Sequence, residues 1–83
     1  MDSVEISLEI FDEIDNALDL GFDKLFVNVD DLENGYGFLR VLAMQGSMDL
    51  IVFDGTFALD VCYEVLELLE KSKYSIKDFT MRR

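Results

Sequence analysis

The sequence predicts an α+β fold in which two amphipathic helices pack on a four- to five-stranded, mostly antiparallel sheet. The chain has 83 residues and is 51% apolar, which is enough for the core of a single globular domain over residues 1–83. Several short segments alternate apolar and polar residues, as strands do, and two longer segments repeat every three to four residues, as helices do. Glycine-containing turns separate them, and the predicted order is β-α-β-β-β-α-β.

The N-terminal residues are predicted to form a strand and then a helix. Apolar side chains occupy every second position of residues 4–10, the pattern of a strand with one buried face. Over residues 10–20 the apolar positions instead fit one side of a helix, and Gly21 stands where a helix-ending glycine belongs. A second interpretation stays open, in which Ser7 caps a longer helix over residues 8–20.

Three strands are predicted in the middle of the chain. Residues 24–30 and 48–54 are rich in the β-branched and aromatic side chains that strands favour. Residues 38–44 would be apolar on nearly all sides as a helix, so their short length and flanking glycines favour a strand. Between the second and third of these strands, Gly46 is expected to allow a tight hairpin turn.

The last third of the chain is predicted to form a helix and an edge strand. Thr56 can cap a helix over residues 57–71, and the lysine-containing residues 74–82 read as an edge strand. Residues 71–83 form a short basic segment at the end of the sequence. By element order alone, the whole arrangement is similar to a variant of the ferredoxin-like architecture.

Composition excludes several classes of chemistry. One cysteine allows no internal disulfide, and the absence of histidine removes His-based catalysis and the common zinc sites. Cys62 lies within an apolar helical arc and is expected to be a buried hydrophobe rather than a nucleophile. No apolar run approaches the ~20 residues of a membrane span, and the acidic N-terminus does not resemble a signal peptide. We therefore expect a cytoplasmic protein that is not an enzyme and takes no cofactor.

The acidic loop at residues 31–37 is predicted to be a turn, with Gly35 and Gly37 in unusual dihedral angles. It lacks the oxygen spacing of an EF-hand and the glycine–lysine pattern of a phosphate loop, so no metal site is expected there. One alternative remains. If strands 24–30 and 48–54 lay parallel and adjacent, the three carboxylates at their ends would form a Mg²⁺ site for an enzyme: Asp30, Asp31 and Asp54.

The net charge of −11 is unevenly distributed. Residues 1–70 hold seventeen acids and two bases, whereas residues 71–83 hold five bases and one acid. Such an acidic body repels phosphate backbones, which argues against direct binding of nucleic acid, and it favours a basic protein partner.

Two rows of carboxylates recur at helical spacing and are the predicted partner-binding residues: Asp12, Asp15 and Asp19 in one row, and Asp60, Glu64 and Glu67 in the other. Neighbours in such a row lie ~5–6 Å apart between Cβ atoms, similar to successive phosphates of a nucleic acid. Tyr36 is predicted to add an apolar anchor, because tyrosine buries a ring while its hydroxyl stays wet. The ordinary alternative is that both rows are only solvated helix faces.

The predicted function is that of a small acidic binder that blocks or regulates a basic partner, such as a nucleic-acid-handling enzyme or complex. Inhibitor, immunity, antitoxin and phage-encoded anti-defence proteins have this profile of size and charge. The alternative is a small ligand-binding regulatory module that depends on Gly35, Gly37 and Tyr36. The broad apolar arc of residues 57–71 also leaves a homodimer seam open.

Overall fold

The computed structural model describes the side chains and backbone of residues 2–72 and the backbone of residues 78–82. Its elements follow one another as α1 (Ser3–Asp19), β1 (Lys24–Asp31), β2 (Tyr36–Gln45), β3 (Met48–Ala58), α2 (Leu59–Glu70) and β4 (Asp78–Arg82). The α+β class with two helices is confirmed. Residues 74–77, the first part of the predicted edge strand, lie outside the described residues.

The sheet combines an antiparallel meander with one parallel strand. Strands β1, β2 and β3 pair in sequence as antiparallel neighbours, and β4 lies beside β1 in parallel. The spatial order is β3-β2-β1-β4, which leaves β3 and β4 at the edges of the described sheet. The prediction was a sheet of four to five strands, mostly antiparallel, whereas the described sheet consists of a three-stranded antiparallel part and one parallel strand.

The predicted strand over residues 4–10 is wrong, because these residues belong to α1. The buried positions of α1 recur at helical spacing: Ile6, Ile10, Ile14 and Ala17. Val4 and Leu8, the other half of the alternating pattern, are 56% and 59% exposed. Without an N-terminal strand the order is α-β-β-β-α-β, so the ferredoxin-like variant is also wrong.

Residue Asp2 starts α1, and a glycine motif ends it. The Asp2 side chain accepts a hydrogen bond from the Glu5 N–H at 2.9 Å, which is the usual N-cap bond. Ser7 does not cap the helix; its hydroxyl donates to the Ser3 carbonyl at 2.7 Å. At the other end Gly21 has φ of 98°, and its N–H donates to Leu18 at 3.0 Å. The prediction for Gly21 is therefore confirmed.

The three central strands and the hairpin turn are confirmed, but the start of α2 differs from the prediction. Gly46 has φ of 60°, as the turn requires. Thr56 lies inside β3 and caps nothing, because β3 continues to Ala58, which pairs with Tyr36. The helix then begins at Leu59, whose N–H donates to the Gly35 carbonyl at 2.8 Å. A loop carbonyl thus replaces the predicted side-chain cap.

Both helices pack on the same face of the sheet. Six apolar residues of β1 and β2 are buried and share one core with the apolar sides of α1 and α2: Leu25, Val27, Val29, Leu39, Val41 and Ala43. The opposite side of the sheet carries the even-numbered residues of β1 and β2 and the β3 residues paired with them. We call this side the open face, because neither helix and no other element of the described chain packs on it.

Candidate partner-binding surface

The carboxylate row of α1 faces solvent. The helix turns Ile10, Ile14 and Ala17 towards the core, and this places Asp12 and Asp19 on its exposed side. Asp15 is exposed as well. The structure therefore places all three predicted residues of this row where a partner can reach them.

The second row lies on the exposed side of α2. Asp60, Glu64 and Glu67 are exposed. Buried residues occupy the other side of the helix: Cys62, Val65, Leu66 and Leu69. The broad apolar arc predicted here is thus largely used by the core.

The two rows belong to one layer of the molecule. Helices α1 and α2 contact each other and cover the same side of the sheet. Together Ser3–Asp19 and Leu59–Glu70 hold ten acids and no base. We call these two helices the helical layer. Its uniformly negative potential attracts cations and repels other polyanions.

Some of these carboxylates stand where the helix itself disfavours them. A helix C-terminus carries a partial negative charge, so an acid there costs ~0.3–1 kcal/mol when it is exposed at low salt. Asp19 ends α1 and Glu67 lies in the last turn of α2, and neither last turn contains a base. A cation bound to this end of either helix would relieve the repulsion.

The structure does not bring Tyr36 to the helical layer. Tyr36 is the first residue of β2 and is 54% exposed. Its neighbour Gly37 faces α2, and because successive strand residues point to opposite sides, Tyr36 projects from the open face. Tyr36 and the six carboxylates therefore belong to different surfaces.

The acidic loop between β1 and β2 forms a turn held by its own hydrogen bonds. The Asp31 carboxylate accepts from the Glu33 N–H at 2.9 Å, as in an Asx turn. The Tyr36 N–H donates to the Glu33 carbonyl at 3.2 Å. Residues 33, 34 and 35 have φ of 70°, 56° and 81°, so the chain reverses through the left-handed region.

Gly37 has no positive φ, so the dihedral role predicted for it is wrong. Glycine fits this position because the surrounding side chains leave little room for a Cβ. A Cβ there would lie 2.9 Å from Leu59 Cδ1, 3.2 Å from Cys62 Sγ and 3.3 Å from Val29 Cγ1. Substitution of Gly37 would therefore disturb the packing of α2 on the sheet, whether or not the loop binds a ligand.

Cys62, whose sulfur lies next to Gly37, is buried. Its thiol donates weak hydrogen bonds to the carbonyls of Gly37 at 3.7 Å and Phe57 at 3.9 Å. Burial is the main cause that raises the pKa of Cys62, and the nearby Asp60 charge acts in the same direction. A protonated, enclosed thiol is a poor nucleophile, so the arrangement is that of a core residue.

The arrangement required for a Mg²⁺ site is absent. Strand β2 lies between β1 and β3, so the strands bearing Asp30 and Asp54 are not neighbours. Asp54 pairs with Arg40, while Asp30 and Asp31 alternate to opposite sides of the sheet. No group of three acid or cysteine side chains that could hold a metal is found among the described residues. The premise of that enzyme alternative is therefore wrong.

The sequence reasoning missed a polar row at the centre of the open face. Asn28, Arg40 and Asp54 stand side by side across three strands. The Arg40 Cζ lies 5.1 Å from the ring centroid of Phe38, a cation–π distance. The sequence feature that could have indicated this row is the single arginine within the otherwise apolar segment 38–44.

Comparisons with protein families, curated proteins and solved structures found no match. No helix in the described part of the chain is long and apolar enough to cross a membrane. The site and fold thus define a small acidic α+β domain with two different surfaces, and its function must be argued from those surfaces.

Proposed function

We propose that this protein is a non-enzymatic binder whose helical layer docks on a basic surface of a partner protein and blocks or regulates it. One observation carries the proposal: two contacting helices expose ten acids without a base. A surface of one sign speeds the encounter with an oppositely charged partner and discourages others. The acids at the helix C-termini would gain most from a cationic partner, since they are repelled by their own helices.

The spacing of the rows favours a partner that normally handles nucleic acid. Asp12 and Asp19 mark two turns along α1, and Asp60, Glu64 and Glu67 follow a similar line on α2. Carboxylates ~5–6 Å apart along a helix resemble a phosphate backbone in charge and repeat. The mechanism is occupation: the acidic layer fills a basic groove and keeps the natural polyanion out.

The experiment is a pull-down from the native host's lysate with single charge reversals in each row. Asp12→Lys and Glu64→Lys are compared with Glu33→Lys, which makes the same charge change in the exposed β1–β2 turn. We expect the wild type to retain a basic protein that elutes at moderate salt, because exposed charge contacts are screened above ~0.15 M. The two layer variants should release it at lower salt, and the Glu33 variant should not.

Two results would contradict the proposal. In the first, all three variants retain and release the same partner alike, so that the helical layer makes no contact. In the second, the wild type retains no basic protein. Circular dichroism of each variant verifies that the helices are intact, so weakened binding cannot be attributed to unfolding.

A further inference from the structure

The open face exposes apolar side chains that no described element covers. Phe26, Phe38, Leu42 and Met44 are only partly buried there, although they alternate with fully buried neighbours. Ile51, which pairs with Leu42, is 54% exposed. One face of an antiparallel sheet commonly faces water, but it is then normally polar. A partly apolar face of this kind is typical of an interface.

Two buried polar atoms at the centre of this face are unsatisfied. The Nε of Arg40 and the Oδ1 of Asn28 are shielded from solvent, and neither has a hydrogen-bond partner among the described residues. Nearly all buried polar atoms in folded proteins have a partner. The Arg40 Cζ also lies 5.1 Å from the ring centroid of Phe38, and the guanidinium carries five N–H donors in a planar fork. An arginine fixed on an aromatic ring is a frequent centre of binding energy in interfaces.

The charges of the open face are mixed, unlike those of the helical layer. Lys24 and Arg40 share it with Asp30, Asp49 and Asp54, as the strand register shows. These are two of the three bases within residues 2–72, the third being Lys71. A surface that holds both signs can complement itself when it meets its own copy across a two-fold axis. The helical layer cannot do so, because two such layers repel each other.

We propose that the occupant of the open face is a second copy of this chain. Two sheets would pack face to face, with Lys24 and Arg40 of each copy against carboxylates of the other and both helical layers outward. With strands ~4.8 Å apart and ~3.3 Å per residue, the face measures roughly 19 by 30 Å, close to the ~600 Å² per partner at which stable interfaces begin. Single-stranded nucleic acid would fit the aromatic rings but would meet three aspartates, so we argue for the dimer.

The test measures the association of the whole chain by sedimentation velocity between about 1 μM and about 500 μM. Ile51→Glu introduces a charge into the proposed interface. Leu8→Glu is the matched control, because Leu8 is similarly exposed, at 59%, but lies on α1 in the helical layer. Salt of ~0.15 M or more suppresses repulsion between acidic molecules in both samples.

We expect the wild type and Leu8→Glu to approach twice the 9.5 kDa chain mass as concentration rises. Ile51→Glu should raise the dimer dissociation constant at least ~10-fold, and Arg40→Gln, which replaces the charged guanidinium by a shorter neutral amide, should raise it as well. The dimer should also show a melting temperature that increases with concentration, which neither interface variant should share.

A wild type that stays monomeric over the whole range overturns the inference. A dimer that Ile51→Glu and Leu8→Glu weaken equally also overturns it, since the contact would then lie elsewhere. The inference is likewise overturned if the protein is a monomer that binds a fluorescent oligonucleotide through this face and if Arg40→Gln abolishes that binding. None of these results depends on the partner of the helical layer, so the two proposals fail separately.

Discussion

Cys62 and Gly37 form a close contact between α2 and the sheet. The thiol donates to the Gly37 carbonyl at 3.7 Å, and the space in which another residue would carry its Cβ is occupied by the same sulfur, 3.2 Å away. Leu59 closes the other side of that space at 2.9 Å. The absence of a side chain at position 37 therefore allows the N-terminal part of α2, which carries Asp60, to approach the sheet closely.

Gly37→Ala should destabilise the protein by ~1–3 kcal/mol, because the added methyl group overpacks a filled site. Urea unfolding of the variant measures the change. In the double variant with Cys62→Ala, part of this cost should disappear, since the sulfur that crowds the new Cβ is removed. Strictly additive effects of the two substitutions would show that the contact does not couple the residues.

Stability at high pH should depend on Cys62. Burial raises its pKa in the folded state, so the unfolded chain loses the thiol proton first as pH rises. The stabilising contribution is therefore complete below the unfolded pKa, about 8.5, and declines as pH increases above it. Urea unfolding at about pH 7 and about pH 9.5 should show a larger loss for the wild type than for Cys62→Ala, which has no such proton. Equal losses would refute this interpretation.

The N-cap of α1 offers a direct check of the helix that replaces the predicted strand. Asp2→Ala should cost ~1 kcal/mol, because the Glu5 N–H loses its acceptor. Asp2→Asn keeps a side-chain oxygen and should cost much less. Thermal unfolding followed at a helical circular dichroism band measures both. If alanine and asparagine were equivalent, the side chain of Asp2 would not cap the helix in solution.

Local patterns in the sequence were enough to predict the middle of the fold. Strands 24–30, 38–44 and 48–54 and the turn glycines Gly21 and Gly46 follow from residue type and period, because each depends on neighbours in sequence. The segment 4–10 failed since its apolar residues fit both a strand and a helix, and the decision came from packing against distant strands.

Features that depend on contacts between distant residues could not be predicted from local sequence patterns. The Leu59 N–H is capped by the Gly35 carbonyl, and the crowding at Gly37 comes from Leu59, Cys62 and Val29. The carboxylate rows were visible from helical spacing, and their exposure agrees with it. Their separation from Tyr36 was not visible, because it follows from the strand register that places Tyr36 on the open face.

The acid at the C-terminus of α1 should reduce stability while it favours binding. Asp19→Lys replaces a charge that the helix dipole disfavours by one that it favours, so it should stabilise the protein by ~0.3–1 kcal/mol in urea unfolding at low salt. Glu5→Lys makes the same change of charge in the first turn of α1, where the dipole favours the acid, and should destabilise it. Because lysine also forms helices better than aspartate, the electrostatic part is the fraction of the gain that shrinks as salt increases.

If Asp19→Lys is more stable and yet releases the partner at lower salt, the position of this acid is explained by recognition rather than by folding. A variant that gained stability and bound the partner unchanged would leave Asp19 as an ordinary solvated side chain.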